Sequence, residues 1–141
     1  MSTTIRLISI KAVAPPGDIG QDPQDRVMFS TNYEIVSSGR ISQIEEAIIK
    51  LIENANLLHN TDDNLFIGRI AQPDNINHTG PYCNVILTGG FGSDQTQNNN
   101  IQDKFSLQLV VRGQNYFDAR NKSMEIFSTL SDRYNIEVTL Q

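Results

Sequence analysis

The sequence is poor in the residues that build metal sites and disulfide frameworks. Its 141 residues include no Trp, one Cys and two His. One cysteine excludes an intramolecular disulfide framework, and the position of Cys83 at the start of an apolar strand favours a small buried side chain. His59 and His78 lie in predicted loops, without the His-x-x-x-His or Cys-x-x-Cys spacing of a metal site. The sequence therefore predicts no metal site and no cofactor.

Familiar catalytic motifs are missing as well. Gly89-Gly90-Phe91-Gly92 precedes a polar stretch and has no lysine nearby, which predicts a turn and not a phosphate-binding loop. There is no Gly-x-Ser-x-Gly elbow, and no histidine close in sequence to Cys83, although His59 or His78 could approach it in the fold. We therefore expect a protein that is not an enzyme.

Charge is low and unevenly placed. The formal net charge is −5, and residues 70–103 contain Asp74, Asp94 and Asp103 but no Lys or Arg. Phosphate binding draws on clustered Lys and Arg, so we expect no direct binding to nucleic acid. The apolar runs are too short to span a bilayer and no charged-then-apolar leader opens the chain, so we expect no membrane association and an intracellular protein when made.

Length and composition indicate one domain with one core. The apolar fraction is only 38%, which suggests that neighbours in an assembly add to the stability. We divide the domain into an N-terminal strand and arm region, residues 1–40, and a core, residues 41–141.

The arm region contains two predicted strands, Ile5–Val13 and Val27–Val36. The first has apolar residues on both faces, which is typical of a strand buried on two sides or in an interface. The loop 14–26 between them carries Asp18 and Asp22 without EF-hand spacing, so we expect a solvent-facing acidic loop, with a weak cation site as the alternative. The strands could form an antiparallel pair or an arm that reaches a neighbouring subunit.

In the core, Ser42 and Glu45 form a capping box that predicts a helix over residues 43–56. Short strands are predicted at Leu65–Ala71 and Tyr82–Thr88, and the polar stretch 93–102 predicts a long hairpin tip. The apolar stripe of the helix comprises Ile44, Ala47, Ile48, Leu51, Ile52 and Ala55.

The last third of the chain changes from strand to helix periodicity. Apolar residues alternate in KFSLQLVVR from Phe105 to Val111, Gly113 supplies a flexible corner, and Asn115 is a predicted N-cap with Asp118 near the positive end of the helix dipole. The helix stripe comprises Ala119, Ser123, Ile126, Phe127, Leu130 and Tyr134, and Ile136, Val138 and Leu140 predict a final strand. The order β-β-α-β-β-β-α-β predicts an α+β fold, a two-layer sandwich of a mostly antiparallel sheet packed against two amphipathic helices.

The run VVRGQNYFDARNKSMEIFSTL resembles the C-terminal segment of bacteriophage tail terminator proteins, a family also described as phage minor capsid or tail completion proteins. The recurring features are a strand, an Arg-Gly corner, an aromatic residue and an Ala-Arg helix that ends in an apolar residue. They correspond here to Val111, Arg112, Gly113, Tyr116, Ala119, Arg120, Ile126 and Leu130. The likeness extends upstream to about Ile41, through IEEAIIKLIENA, NLFIGRIAQPDN and NVILTGGFG.

The resemblance implies a structural virion protein of the tail or neck, assembled in the host cytoplasm. Such proteins form a ring, commonly a hexamer, on the head-proximal end of the tail tube, where they stop tube growth and join the tail to the head connector. The implied partners are copies of itself, the tail tube protein, a connector or neck protein and possible sheath terminator contacts, with DNA passing through the lumen without specific binding.

Sheet edges and the first strand could make the ring contacts by strand addition. The candidate interface residues are Arg112, Gly113, Tyr116, Arg120, Asp94, Asn98, Asn99, Asp18 and Asp22. Two alternatives stay open at this point. One is another neck, head-completion or minor capsid protein of a tailed phage, and the other is a small-ligand-binding α+β domain.

Overall fold

The computed structural model describes residues 3–21, 25–38, 43–58, 64–68, 81–95 and 101–140. Within these ranges the elements are β1 Thr3–Ala12, β2 Gly17–Gln21, β3 Val27–Ser38, α1 Ile44–Asn54, β4 Leu65–Ile67, β5 Tyr82–Gln95, β6 Ile101–Gly113, α2 Tyr116–Leu130 and β7 Arg133–Leu140. Neither of the helices described has the length and apolar character needed to cross a bilayer.

The strands form one curled sheet. Its order is β4-β5-β6-β3-β1-β7, β2 also pairs with β3, and every pairing is antiparallel except that of β4 with β5. Helix α1 contacts β7 at one end of this order and β4 and β5 at the other. A helix is only about 10–12 Å wide, so it can touch both ends only because the sheet curls into a half-barrel. The expected mixed fold, with a mostly antiparallel sheet and two helices, is confirmed.

The N-terminal region belongs to the sheet. β1 lies between β3 and β7, so the first strand is not an edge available for strand addition. The predicted loop 14–26 contains a strand of its own, because β2 follows β1 along the same side of β3 and pairs with its first residues. All five residues of β2 are exposed, which explains why their composition indicated a loop. β2 and the start of β3 therefore form an antiparallel hairpin within the sheet.

A β-bulge explains the two apolar faces of β1. The pairing of β1 with β3 shifts register between Leu7 and Ser9, and a bulge moves the following side chains to the opposite face. Ile5 and Leu7 are buried before the shift and Ile10 after it. A single buried face therefore accounts for the apolar residues of β1, and the expectation that β1 is buried on both sides is wrong.

The second hairpin, β5 with β6, is longer than predicted. β5 runs through Gly89–Gly92 to Gln95, and its register with β6 shifts between Leu87 and Gly89 and between Phe91 and Asp94. The glycines therefore mark irregularities within a strand, not the predicted turn. Pairing continues to Gln95 and Ile101, and residues 96–100 of the predicted tip lie outside the described residues.

Helix α1 buries a wider face than its sequence stripe. Ile49 is buried although it lies beside the predicted stripe, because α1 packs between the two ends of the sheet. Ala55 follows the helix and is exposed. Gln43 occupies the N-cap without a side-chain cap, so the helix begins later than the capping box predicts, and Ser42 lies outside the described residues.

Helix α2 has the predicted start and an earlier end. Asn115 Oδ1 accepts a hydrogen bond from the backbone N–H of Asp118 at 2.9 Å, which confirms the N-cap. The helix ends at Leu130, and Asp132 then adopts a left-handed φ of 54°. Tyr134 therefore belongs to β7 and is exposed, and its predicted place on the helix stripe is wrong.

Close packing, not flexibility, accounts for Gly113 at the end of β6. A Cβ placed there would lie 2.8 Å from the backbone nitrogen of Ala119 and 3.2 Å from its Cβ. Gly113 is buried and Ala119 has no exposed surface. The first turn of α2 therefore rests directly on the backbone of the strand before it.

Gly113→Ala should lower the free energy of unfolding by about 1–3 kcal/mol, because the contacting atoms are backbone and must move. Gly17→Ala is the matched control, since a Cβ at Gly17 meets nothing within 4 Å. Urea unfolding monitored by circular dichroism measures both. Equal stability of the two variants would contradict the packing role of Gly113.

Candidate subunit interface

Five of the predicted interface residues meet at one end of the sheet. Asp18 pairs with Phe29 of β3, which pairs in turn with β6 next to Arg112 and Gly113. We call this region, formed by β2, the start of β3, the end of β6 and the start of α2, the hairpin end. Tyr116 and Arg120 lie in the first turns of α2, so they belong to it as well.

The other predicted interface residues are not at this end. Asp94 pairs with Gln102, which pairs with Ser38 at the far end of β3. Asp22, Asn98 and Asn99 lie outside the described residues. The structure thus gathers part of the predicted set and separates Asp94 from it.

An aromatic pair stands on the helix side of the hairpin end. The Tyr116 ring packs edge-on against buried Phe29 at 5.3 Å between centroids and against Phe117 at 5.5 Å. Phe117 is 68% exposed, more than any other exposed large hydrophobic residue in the described ranges. We call Tyr116 and Phe117 the aromatic knob. Sequence reasoning missed Phe117, although its place off the buried stripe of α2 is a signal of exposure.

On the opposite face of the sheet, Arg112 is held within the chain. Its Nη1 donates to Asn84 Oδ1 at 2.6 Å, and Asn84 Nδ2 donates to the carbonyl of Gly68 at 2.9 Å. Asn84 is only 1% exposed, so both ends of its amide are used in a buried position, as a buried polar group requires. These two hydrogen bonds link Arg112 of β6, through Asn84 of β5, to Gly68, the residue that follows β4.

Tyr82 brings a second arginine to this face. The guanidinium carbons of Arg26 and Arg112 lie 5.4 and 5.7 Å from the centroid of its ring, within cation–π range. Arg26 Nη1 also donates to the Tyr82 hydroxyl at 2.8 Å. Tyr82 is buried and packs edge-on against Phe66. Arg26 and Tyr82 therefore fasten the start of β3 to β5, a role that sequence reasoning did not assign to either residue.

A cleft of about 310 Å³ lies beside this cluster, on the helix-free face of the sheet. We call it the outer cleft. Ile19, Met28, Ile86 and Val110 form its apolar lining, with Asn84, Gln108 and Arg112 at its polar positions. Gln108 Nε2 donates to Ser30 Oγ at 2.8 Å, which fixes the polar wall. Pockets for small ligands are usually about 300–1,000 Å³, so the volume of the outer cleft is at the lower limit of that range.

The remaining reactive group is enclosed in the core. Cys83 is fully buried, as its sequence position predicted, and burial raises the pKa of its thiol to about 12. Burial also raises the pKa of Tyr33, with the neighbouring Cys83 adding to the shift. In the ranges described, no three His, Cys, Asp or Glu side chains come together as a metal site would require.

Comparisons with known proteins add no relative. No family model matches the chain, no curated protein matches it, and no solved structure matches its fold.

Asn84→Ala should lower the free energy of unfolding by about 1–3 kcal/mol, because it removes partners from Arg112 and from the Gly68 carbonyl. Hydrogen exchange at the Gly68 amide, which donates to Val85 O at 2.7 Å, should accelerate. Asn32→Ala changes an exposed side chain on the same face and should stay within about 0.5 kcal/mol of the parent. Similar losses in both variants would contradict a special role for Asn84.

Cys83 should resist a thiol reagent at pH 8 in the native protein and react completely in denaturant, as a colorimetric thiol assay would record. Burial raises the pKa of the Cys83 thiol from its ordinary value of 9.0, which applies in the unfolded chain, to about 12 in the folded protein. The unfolded state therefore loses a proton first, and stability should fall as pH rises from 9 to 12, with no contribution from Cys83 below that window. Rapid native labelling at pH 8 would show that the thiol is accessible.

Proposed function

We propose that this chain is a structural virion protein that forms a ring at the head-proximal end of a phage tail tube, ends tube polymerisation and joins the tail to the head connector. The proposal rests first on the resemblance of its C-terminal run to tail terminator proteins. We also propose the two-layer arrangement predicted from the sequence, in which the two helices form one layer and the sheet forms the other.

The observation that supports the proposal most directly is the position in the structure of the residues of that C-terminal run. Gly113 and Ala119 touch each other, while Tyr116 and Arg120 are exposed beside them on α2. The run therefore combines a packing pair, which sets the position of the helix, with side chains that face outward. A shared motif of this kind suits a subunit whose exposed end contacts other proteins.

The surface at the hairpin end supports assembly in a second way. Tyr116 and Phe117, which are adjacent in α2 and in ring contact, are both large apolar residues left substantially exposed. Clustered apolar exposure of this kind is typical of protein-contact surfaces. This exposure favours a subunit that contacts other proteins.

Strand addition is a weaker way to make the ring contacts. β4 has three residues. β7 contains Asn135 with a left-handed φ of 54°, and β2 contains Gly20 with φ 102° next to a register shift. Short or irregular edges are poor templates for a further strand. We therefore place the contacts on side-chain surfaces at the hairpin end.

The second candidate is another neck, head-completion or minor capsid protein of a tailed phage, which the same α+β scaffold would serve. Electron microscopy of a phage that lacks this chain separates the two. Overlong tail tubes are expected for the proposed terminator. Tubes of normal length with DNA released from filled heads would instead assign the chain to the connector.

A further inference from the structure

We draw no further inference here: the strongest candidate, the outer cleft on the helix-free face of the sheet, is an apolar surface lined by Ile19, Met28, Ile86 and Val110, and nothing in the described part of the chain shows what covers it.

Discussion

The close approach of helix α2 to the end of β6 governs the arrangement of the hairpin end. Gly113 allows the backbone of Ala119 to lie where a side chain would otherwise stand, and the Asn115 cap then starts the helix within two residues of the strand. This tight corner places the first turn of α2 directly against the end of β6. The direction of Tyr116 and Phe117 is consequently a property of the corner.

Near this corner, two neighbouring residues of β6 face opposite sides of the sheet and lie in different environments. Val111 faces the helices and is buried, whereas its neighbour Arg112 faces away and bonds to Asn84. Burial of Asn84 and Tyr82 on the helix-free side shows that this face is not merely a solvated surface. It is held by directional hydrogen bonds and by arginine–aromatic packing. Directional contacts of this kind preserve the shape of a cleft better than loosely packed apolar side chains would.

Sequence reasoning succeeded where one local rule decided the structure. The alternation around Leu107 and Leu109, and the N-cap at Asn115, each follow from a short pattern that tertiary packing did not override. Sequence reasoning failed where contacts with residues distant in the chain determined the local structure or the burial. β2 is a strand only because β3 lies beside it, and Ile49 is buried only because α1 sits between both ends of the sheet. No local sequence pattern predicts the curl of the sheet.

The position of the candidate site was predictable only in part, for the same physical reason. Arg112 and Tyr116 are close in sequence, so a motif can mark them both, yet the sheet places their side chains on opposite faces. Ile19 enters the outer cleft from a hairpin some ninety residues earlier in the chain, and no local pattern links it to α2.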